Sequence, residues 1–243
     1  MTTRVSLLIP NRNGAELLPR CIASVRNQRE LAAEPVVIDN GSSDHSRDAA
    51  AGAKWLEGAP DWGFARAINE GVRQTDSEWV ALFNNDAWLD PNWGAAVSRA
   101  MRMHPQASMF ASLGVSGRDH SLYYSLGDIF NHAIVYRAGY LKRRAALPPA
   151  TLPNEVAGPS GYCGLYHRSL FERLGLLEEA FGSYFEDADF NLRCQRAGHR
   201  CPLVKDAVVF HLGAATGCGL SSDWSFQSGR NGVWFVRRHF GLG

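Results

Sequence analysis

The fold is decided by two neighbouring stretches, RVSLLIPNRNGAELLPRCIASVR at residues 4–26 and EPVVIDNGSSD at residues 34–44. In each stretch an apolar run ends in a polar, turn-forming segment, and between the two runs apolar residues recur at helical spacing. This order predicts a strand, a helix and a second strand, which together form a β-α-β unit. Asp39 and Asp44 follow the second apolar run, in a turn where such residues also serve as Asx turns and helix caps.

The same alternation continues through the first half of the chain. We expect a weak strand near 55–56, a helix near 64–72, a strong strand at 79–83 and a helix near 93–103. Such alternation predicts an α/β fold with a Rossmann-like, mostly parallel central sheet that carries helices on both faces. Ligands of sheets of this kind bind beyond the carboxyl ends of the strands.

The alternation stops near residue 113. The residues that follow are interpreted as a mobile loop that includes the Pro-rich segment 147–153. Order is expected to return with a helix near Arg168, a further helix after 186–189 and a strand at 208–210.

Length and composition narrow the classes of protein. A chain of 243 residues with 45% hydrophobic content suits a single domain, 1–243. Its net charge of +1 provides no overall attraction for nucleic acid or an anionic membrane. The five cysteines form no C-x-x-C pair, which suits free thiols in or near the core. The first apolar run ends at Pro10, too early for a signal peptide or a membrane span, so we expect a soluble, cytoplasmic protein.

A metal site is indicated at the end of the strongest predicted strand. Asp86 follows that strand after Asn84 and Asn85, and Mg²⁺ and Mn²⁺ prefer oxygen ligands that they share with substrate phosphates. His211 also follows an apolar strand, so it would supply a second ligand if the two strand ends meet. A lone histidine of this kind is also common as a structural residue.

The acidic run Glu186-Asp187-Ala188-Asp189 precedes residues with helical spacing. Its carboxylates therefore fall at a helix N-terminus, where the helix dipole favours negative charge. Capping is one interpretation, and the other is that one carboxylate acts as a general base. Arg193, farther along the same helix, is expected to form an ion pair with these acids.

Short motifs occur along the chain in an order that matches a known family. They are SLLIP (6–10) with Asn13, VIDNGSSD (37–44), GFA (63–65) with Asn69 and Gly71, FNND (83–86), GYCG (161–164), FEDADF (185–190) with Arg193, and FH (210–211). This ordered set, over roughly residues 4 to 240, resembles glycosyltransferase family 2, whose fold is GT-A. The later motifs are similar to those of rhamnosyltransferase-like members.

The resemblance implies a role for each matched residue. Asp39 would hydrogen-bond the nucleoside base, Asp86 and His211 would bind the metal, and Asp187 would be the catalytic base. The donor-binding residues would be Pro10, Asn11, Asn13, Asp39, Asn69, Asn84, Asn85, Asp86 and Arg230, the last lying with Asn231 near the diphosphate. The acceptor-binding residues would be Trp62, Gly161, Tyr162, Cys163, Gly164 and Glu186.

The resemblance also divides the chain by function and includes one departure. Residues 1–112 would form the nucleotide-sugar-binding half, and residues 113–243 the acceptor-binding half with a C-terminal helical segment. Asn84 stands where the family's Asp-x-Asp motif has its first carboxylate, so a group that often helps to hold ribose or metal is absent.

The implied reaction is inverting transfer of a sugar from a UDP- or dTDP-sugar, rhamnose among the candidates, with Mn²⁺ or Mg²⁺ as cofactor. The acceptor would be a hydroxyl of a glycan, glycolipid or other molecule in bacterial polysaccharide or glycoconjugate synthesis. Trp62 and Trp88 are candidates for sugar stacking. The aromatic and basic segment 232–240 is read as a helix that packs on the core, or as a peripheral contact with the inner face of the membrane.

Other classes of protein that share this alternation have different sequence motifs. A sugar nucleotidyltransferase usually has a Gly-rich basic loop after the first strand, where this chain has Asn11-Arg12-Asn13-Gly14. A dinucleotide-dependent oxidoreductase needs a Gly-x-Gly-x-x-Gly turn, which this sequence lacks. A non-catalytic carbohydrate- or nucleotide-binding protein of the same fold remains as an alternative, although Asp86, Asp187 and His211 are all present.

Overall fold

Parallel strands joined by helices make up the first half of the protein, in the order that the sequence predicts. The structure is a computed structural model that describes residues 2–131, 134–213 and 222–241. Its first half contains β1 (Arg4–Asn11), α1 (Leu18–Arg26), β2 (Ala32–Asp39), α2 (Ser46–Ala49), β3 (Lys54–Glu57), α3 (Phe64–Arg73), β4 (Trp79–Phe83), β5 (Ala87–Leu89) and α4 (Trp93–Met103). Strands β3, β2, β1 and β4 lie side by side in that order and run parallel.

Helices cover both faces of this sheet because successive residues of a strand point to opposite sides. In β1, Leu7 packs into the cluster that contains Leu18 of α1 and Trp93 of α4. Its neighbour Leu8 packs instead with Ile68 of α3. All five side chains are fully buried, so the continuous apolar run of β1 is the signature of a central strand that is covered on both faces.

The second half extends the same sheet. It contains β6 (Met109–Ser116), β7 (Tyr123–Ser125), β8 (Asp128–Asn131), β9 (Ile134–Arg137), β10 (Glu155–Val156), β11 (Cys163–His167), α5 (Arg168–Leu174), α6 (Glu186–Arg196), β12 (Cys201–His211) and α7 (Ser222–Phe240). Strand β11 lies antiparallel between β4 and β6, and β12 runs parallel to β6. Six of the ten strands in the described sheet, β1–β4, β6 and β12, therefore run in the same direction, which confirms the predicted α/β fold with a mostly parallel central sheet.

The prediction of a loop after residue 113 is wrong. Strand β6 runs through that point, and all eight of its residues are buried. It escapes sequence analysis because Ser112, Gly114 and Ser116 interrupt its apolar residues. Beyond it, β7, the β8–β9 hairpin and two short 3-10 helices are tied to the core, for instance by the buried Tyr123, whose hydroxyl donates to Leu147 O at 2.8 Å.

Helix α7 packs one face on the core, as predicted for the C-terminal segment. The rings of Trp234 and Phe181 lie 4.3 Å apart, and the fully buried Phe235 stacks on Phe130. Phe226 and Val233 on the same helix stay exposed. None of the helices in the described ranges is long and apolar enough to span a bilayer.

A buried ion cluster joins α6 to α7. The carboxylate of Asp189, with no exposed surface, lies 2.9 Å from Arg193 Nε, 3.0 Å from Arg238 Nε and 2.8 Å from His239 Nε2. Burial lowers the pKa of His239 from its ordinary value even though Asp189 acts in the opposite direction. The predicted pairing of Arg193 with the acidic run is confirmed, and the cluster fixes the helix that begins with Glu186 and Asp187.

The described cysteines are buried free thiols, as predicted: Cys21, Cys163, Cys194 and Cys201. Burial raises the pKa of the Cys163 thiol to about 12, so it is protonated and unreactive at neutral pH. Cys218 lies outside the described residues.

Candidate active site

Strand ends from both halves of the chain meet at one edge of the sheet. Strand β1 ends at Asn11, β2 at Asp39 and β12 at His211, and Asp86 comes shortly after the end of β4. Strand β5 pairs antiparallel with β12 and sets Ala87 opposite His211, so Asp86 is held beside that histidine. The edge therefore gathers polar residues that lie far apart in the sequence.

Asp86 and His211 form the centre of this site. Asp86 Oδ1 lies 2.8 Å from His211 Nε2, and both side chains are more than nine-tenths buried. Asn84 Nδ2 lies 3.0 Å from the same ring nitrogen. Within the described ranges no three or more His, Cys, Asp or Glu residues gather into a metal-binding group.

The pair fits a divalent cation. Ligand distances of about 2.0–2.2 Å bring neighbouring ligands of one ion close together, and the converging carboxylate oxygen and imidazole nitrogen meet that requirement. Mg²⁺ and similar ions keep few protein ligands and take the others from phosphate and water. A set of two protein ligands at a strand end is therefore sufficient.

Aromatic rings hold the His211 imidazole in place. Tyr162 stacks on it with centroids 5.3 Å apart, and Tyr124 meets it edge to face at 4.3 Å. His211 Nδ1 is buried and has no hydrogen-bond partner among the residues that the structure describes. Ring packing, rather than a hydrogen bond to Nδ1, sets the direction in which Nε2 points.

A chain of side-chain amides connects the loop that carries Asp86 with the end of β2. Asn85 Nδ2 donates to Asn11 Oδ1 at 2.9 Å, and Asn11 Nδ2 donates to Asp39 Oδ1 at 2.9 Å. Ser42 completes this chain, since its backbone N–H donates to Asp39 Oδ2 at 2.8 Å. Asp39 is 4% exposed, so its carboxylate is held by these donors in a fixed orientation.

The loop after β1 and the loop after β2 are hydrogen-bonded to each other beside these side-chain amides. Asn13, which has a φ of 51°, accepts from the Ser43 N–H through Oδ1 at 2.8 Å, and its own N–H donates to Ser42 Oγ at 2.8 Å. Pro10 lies in β1 opposite Ile38. Asn40, which the sequence analysis did not select, has a buried Oδ1 without a hydrogen-bond partner in the described part of the chain.

Asp187 lies at the start of α6, on the side of the site formed by β11. Its Oδ2 accepts from Gly161 N–H at 2.8 Å, and its Oδ1 accepts from Ala188 N–H at 2.8 Å. The next residue after Gly161, Tyr162, stacks on His211, and its carbonyl accepts from Asn84 N–H at 3.2 Å. The candidate base therefore binds the residue next to Tyr162, whose ring packs on His211, and it is only half-buried.

A strained turn, residues 181–185, leads into Asp187 and was not predicted. Tyr184 and Phe185 have φ values of 73° and 76°, a region that disfavours residues with a Cβ atom. Asn231 of α7, fully buried, donates through Nδ2 to the carbonyls of Phe181, Ser183 and Tyr184 at 2.7–2.9 Å. This one amide therefore holds the turn that sets the start of α6.

Several predicted site residues have structural contacts. Asn69 is a buried residue of α3, and its amide exchanges hydrogen bonds with Leu177 and donates to Glu179, so its polar atoms join α3 to the segment before α6. Trp88 is buried between Arg20 and Phe210 and presents no face for a sugar. Arg230 donates to Phe181 O and Asn231, beside the strained turn.

Only part of the predicted acceptor-binding turn, residues 161–164, lies at the site. Gly161 lies at the site, because its N–H binds Asp187. Cys163 and Gly164 are instead the first residues of β11 and are buried in the sheet. The Tyr162 hydroxyl points into the core, where its single hydrogen is within reach of Ser112 O at 3.1 Å and Ser125 O at 3.2 Å. Cys163 and Gly164 are therefore part of the scaffold of the site.

Trp62 and Glu186 flank the site on different sides. Trp62 is half-buried near Gly58, its carbonyl accepts from Asn40 Nδ2, and Arg66 lies over its ring. Glu186 is the first residue of α6 and is 5% exposed. Their predicted contacts with an acceptor stay predictions.

The sequence model described as Glycosyl transferase family 2 matches residues 6–175, more than half of the chain. A TPR repeat-containing protein of Synechococcus elongatus is 39% identical over 90 residues, which are 35% of this chain and 21% of that protein. The matched parts span only 21–29% of the curated relatives.

Two solved glycosyltransferases of the GT-A type have the same fold. A mannosyltransferase of Pyrobaculum calidifontis, solved with GDP-Man and Mn²⁺, gives a TM-score of 0.69 at 18% identity and covers 100% of this chain and 66% of its own. GalNAc-T7, solved with UDP, GalNAc and Mn²⁺, gives 0.73 at 16% identity and covers 98% of this chain and 48% of its own. With the family match over residues 6–175, the chain belongs to glycosyltransferase family 2 and has the GT-A fold.

Proposed function

We propose that this chain is a metal-dependent, inverting glycosyltransferase that uses a UDP- or dTDP-sugar, with a hydroxyl of a glycan or lipid-linked molecule as acceptor. The observation that supports it most is the buried pair Asp86 and His211, 2.8 Å apart at the strand ends, with Asp187 bound to Gly161 next to the ring that stacks on His211. A cation-binding pair beside a half-buried carboxylate is what sugar transfer from a diphosphate requires. The pathway would be synthesis of a bacterial polysaccharide or glycoconjugate.

The end of β2 supports a pyrimidine nucleotide. Asp39 is fixed by Asn11 and Ser42 in an orientation suited to one further hydrogen bond from a base. Uracil and thymine in a nucleotide each carry one ring N–H, and this group would donate that hydrogen bond to Asp39. The Asn85–Asn11 hydrogen bond connects this pocket to the loop that carries Asp86, so the base and diphosphate ends of the donor would be positioned together.

Asp187 is the proposed general base. Two backbone N–H groups hold its carboxylate, one on each oxygen, and each oxygen has a second lone pair for an acceptor hydroxyl. As the acceptor oxygen attacks the anomeric carbon, Asp187 takes the hydroxyl proton, and the bond from that carbon to the diphosphate oxygen breaks. The attack is on the face opposite the leaving group, so the configuration inverts. A cation bound by Asp86 and His211 would neutralise the charge on the leaving diphosphate.

The pair is tested by Asp86→Ala. We expect this variant to lose the Mn²⁺-dependent part of nucleoside diphosphate binding, a loss of about 100-fold in affinity, because the remaining His211 cannot hold the ion alone. Titration calorimetry with UDP and dTDP, each with and without Mn²⁺, measures the effect.

The control for Asp86→Ala is Asp48→Ala, which removes a carboxylate that is 87% exposed on α2. It should bind nucleotide like the unmodified chain. Undiminished Mn²⁺-dependent binding by Asp86→Ala would contradict the assignment of the pair.

A further inference from the structure

An apolar cavity of about 410 Å³ lies beyond the aromatic side of the site. Its wall is formed by carbon-rich side chains that follow β7 and β9 and by the Pro-rich segment, among them Leu126, Ala138, Leu147 and Leu152. The volume is in the range of pockets that take small ligands, which is about 300–1,000 Å³. A polar glycan would find few partners in such a lining, whereas a hydrocarbon chain would bury its surface there.

The segment beside this cavity is apolar and basic. Residues 139–153 contain Lys142, Arg143 and Arg144 and no acidic residue. Tyr140 and Leu141 are 48% and 51% exposed, and both Tyr140 and Lys142 line the cavity. Tyr140 and Lys142 therefore line the cavity with side chains that also reach solvent, next to the exposed Leu141. The positive charge of Lys142 complements an anionic group at the end of an apolar chain.

Aromatic contacts connect the cavity to the candidate metal site. Tyr140 meets Tyr124 edge to face at 5.8 Å, and Tyr124 meets the His211 ring at 4.3 Å. A molecule with its chain in the cavity and its head towards Tyr124 would therefore point that head at the site where Asp86 and His211 meet. The side of the site formed by these rings is also the side of β11, where Gly161 binds Asp187.

We propose that this cavity binds the hydrocarbon chain of the acceptor, and that the acceptor is a sugar or hydroxyl compound carried on a phosphorylated lipid. Lys142 binds the phosphate, and the sugar extends past Tyr140 and Tyr124 towards Asp187. This assignment rests on the proposed function and names the class of its acceptor. The cavity recognises the apolar chain of this acceptor, and the basic segment recognises the negative charge next to it.

The test uses farnesyl phosphate as a soluble probe of this chemistry. Thr151 lines the cavity on an exposed 3-10 turn, so Thr151→Trp should place an indole in the cavity. Lys142→Glu reverses the charge at its end. We expect each variant to weaken binding about tenfold, the loss that corresponds to a few buried methylene groups or one phosphate contact. Titration followed by intrinsic fluorescence measures the affinity.

Two matched controls separate the site from general surface effects. Ala150→Trp adds the same indole on the same turn, at an exposed position that does not line the cavity. Lys54→Glu makes the same charge reversal on β3, at the opposite edge of the sheet. Both should bind farnesyl phosphate like the unmodified chain.

Inorganic phosphate and farnesol distinguish the sources of binding. Weak binding of both, with tight binding of farnesyl phosphate, supports a lipid phosphate. Equal binding of inorganic phosphate would overturn the role of the chain, and equal binding by Thr151→Trp and Ala150→Trp would overturn the cavity. Titration of the unmodified chain with Mn²⁺-UDP and Mn²⁺-dTDP keeps the two proposals apart. If the unmodified chain binds farnesyl phosphate but neither nucleotide, the proposed function is refuted; if it binds a nucleotide but not farnesyl phosphate, the role of the cavity is refuted.

Discussion

Asp187→Asn is expected to lower kcat for sugar transfer about 10²–10⁴-fold, the usual contribution of a positioned general base. Asparagine has the same shape and can still accept the Gly161 N–H, which now meets Asp187 Oδ2 at 2.8 Å. It cannot take a proton from the acceptor hydroxyl. Because the Asp187 carboxylate is held by the backbone N–H groups of Gly161 and Ala188 on the side of β11, the affinity for the nucleoside diphosphate should be unchanged.

The measurement for Asp187→Asn pairs steady-state kinetics with calorimetry on the same preparation. The matched control is Asp61→Asn, the same substitution at an exposed aspartate in the segment before α3. That control should keep full activity. Full transfer activity in Asp187→Asn would remove Asp187 from the mechanism, and loss of nucleotide binding together with activity would show that its role is in the donor pocket.

Asp189→Ala is expected to destabilise the fold by about 3–5 kcal/mol, the usual result of removing one partner from a buried ion pair. Asp189 is fully buried and lies within 3.0 Å of nitrogen atoms of Arg193, Arg238 and His239. Its removal leaves these groups without their shared partner and weakens the contact between α6 and α7. Urea unfolding, followed by circular dichroism, gives the change in the free energy of unfolding.

The comparison for Asp189→Ala is Asp206→Ala. Asp206 also pairs with an arginine, Arg99, at 2.7 Å, but it is 74% exposed, and exposed pairs contribute about 0–1 kcal/mol. Similar midpoints for the two variants would contradict a stabilising role for the buried cluster.

The first half of the fold follows from local pattern. Strand β4 is buried along its whole length and occurs at the predicted residues, 79–83. Five apolar residues between polar turns are too few for a helix and favour a buried strand. Strands β6 and β11 were missed for the opposite reason. Their glycines, Gly114 and Gly164, break the apolar pattern, yet both positions are buried where a Cβ atom would collide with Tyr162 or Tyr166. The need for glycine at these two positions comes from tertiary packing, which cannot be derived from a local sequence pattern.

Single residues of the candidate site could be selected from the sequence, but the contacts between them could not. Asp86 and His211 could be selected because each follows an apolar strand, but their contact depends on the short strand β5, which pairs with β12. The turn at 181–185 could not be predicted, since nothing local favours positive φ at Tyr184 and Phe185. It is held by Asn231, about fifty positions farther along the chain. Asn69 is the opposite case: it matches a family motif, but its buried amide donates to Leu177 O.

The most direct test of the central claim, that this chain transfers a sugar from a nucleotide donor, is a donor screen. Purified protein is incubated with UDP-, dTDP- and GDP-sugars, with and without Mn²⁺ or Mg²⁺, while release of nucleoside diphosphate and the shift in Tm are recorded. We predict metal-dependent release and stabilisation with a UDP- or dTDP-sugar. Folded protein that responds to no donor under any metal condition would contradict the claim and would favour a binding protein of the same fold.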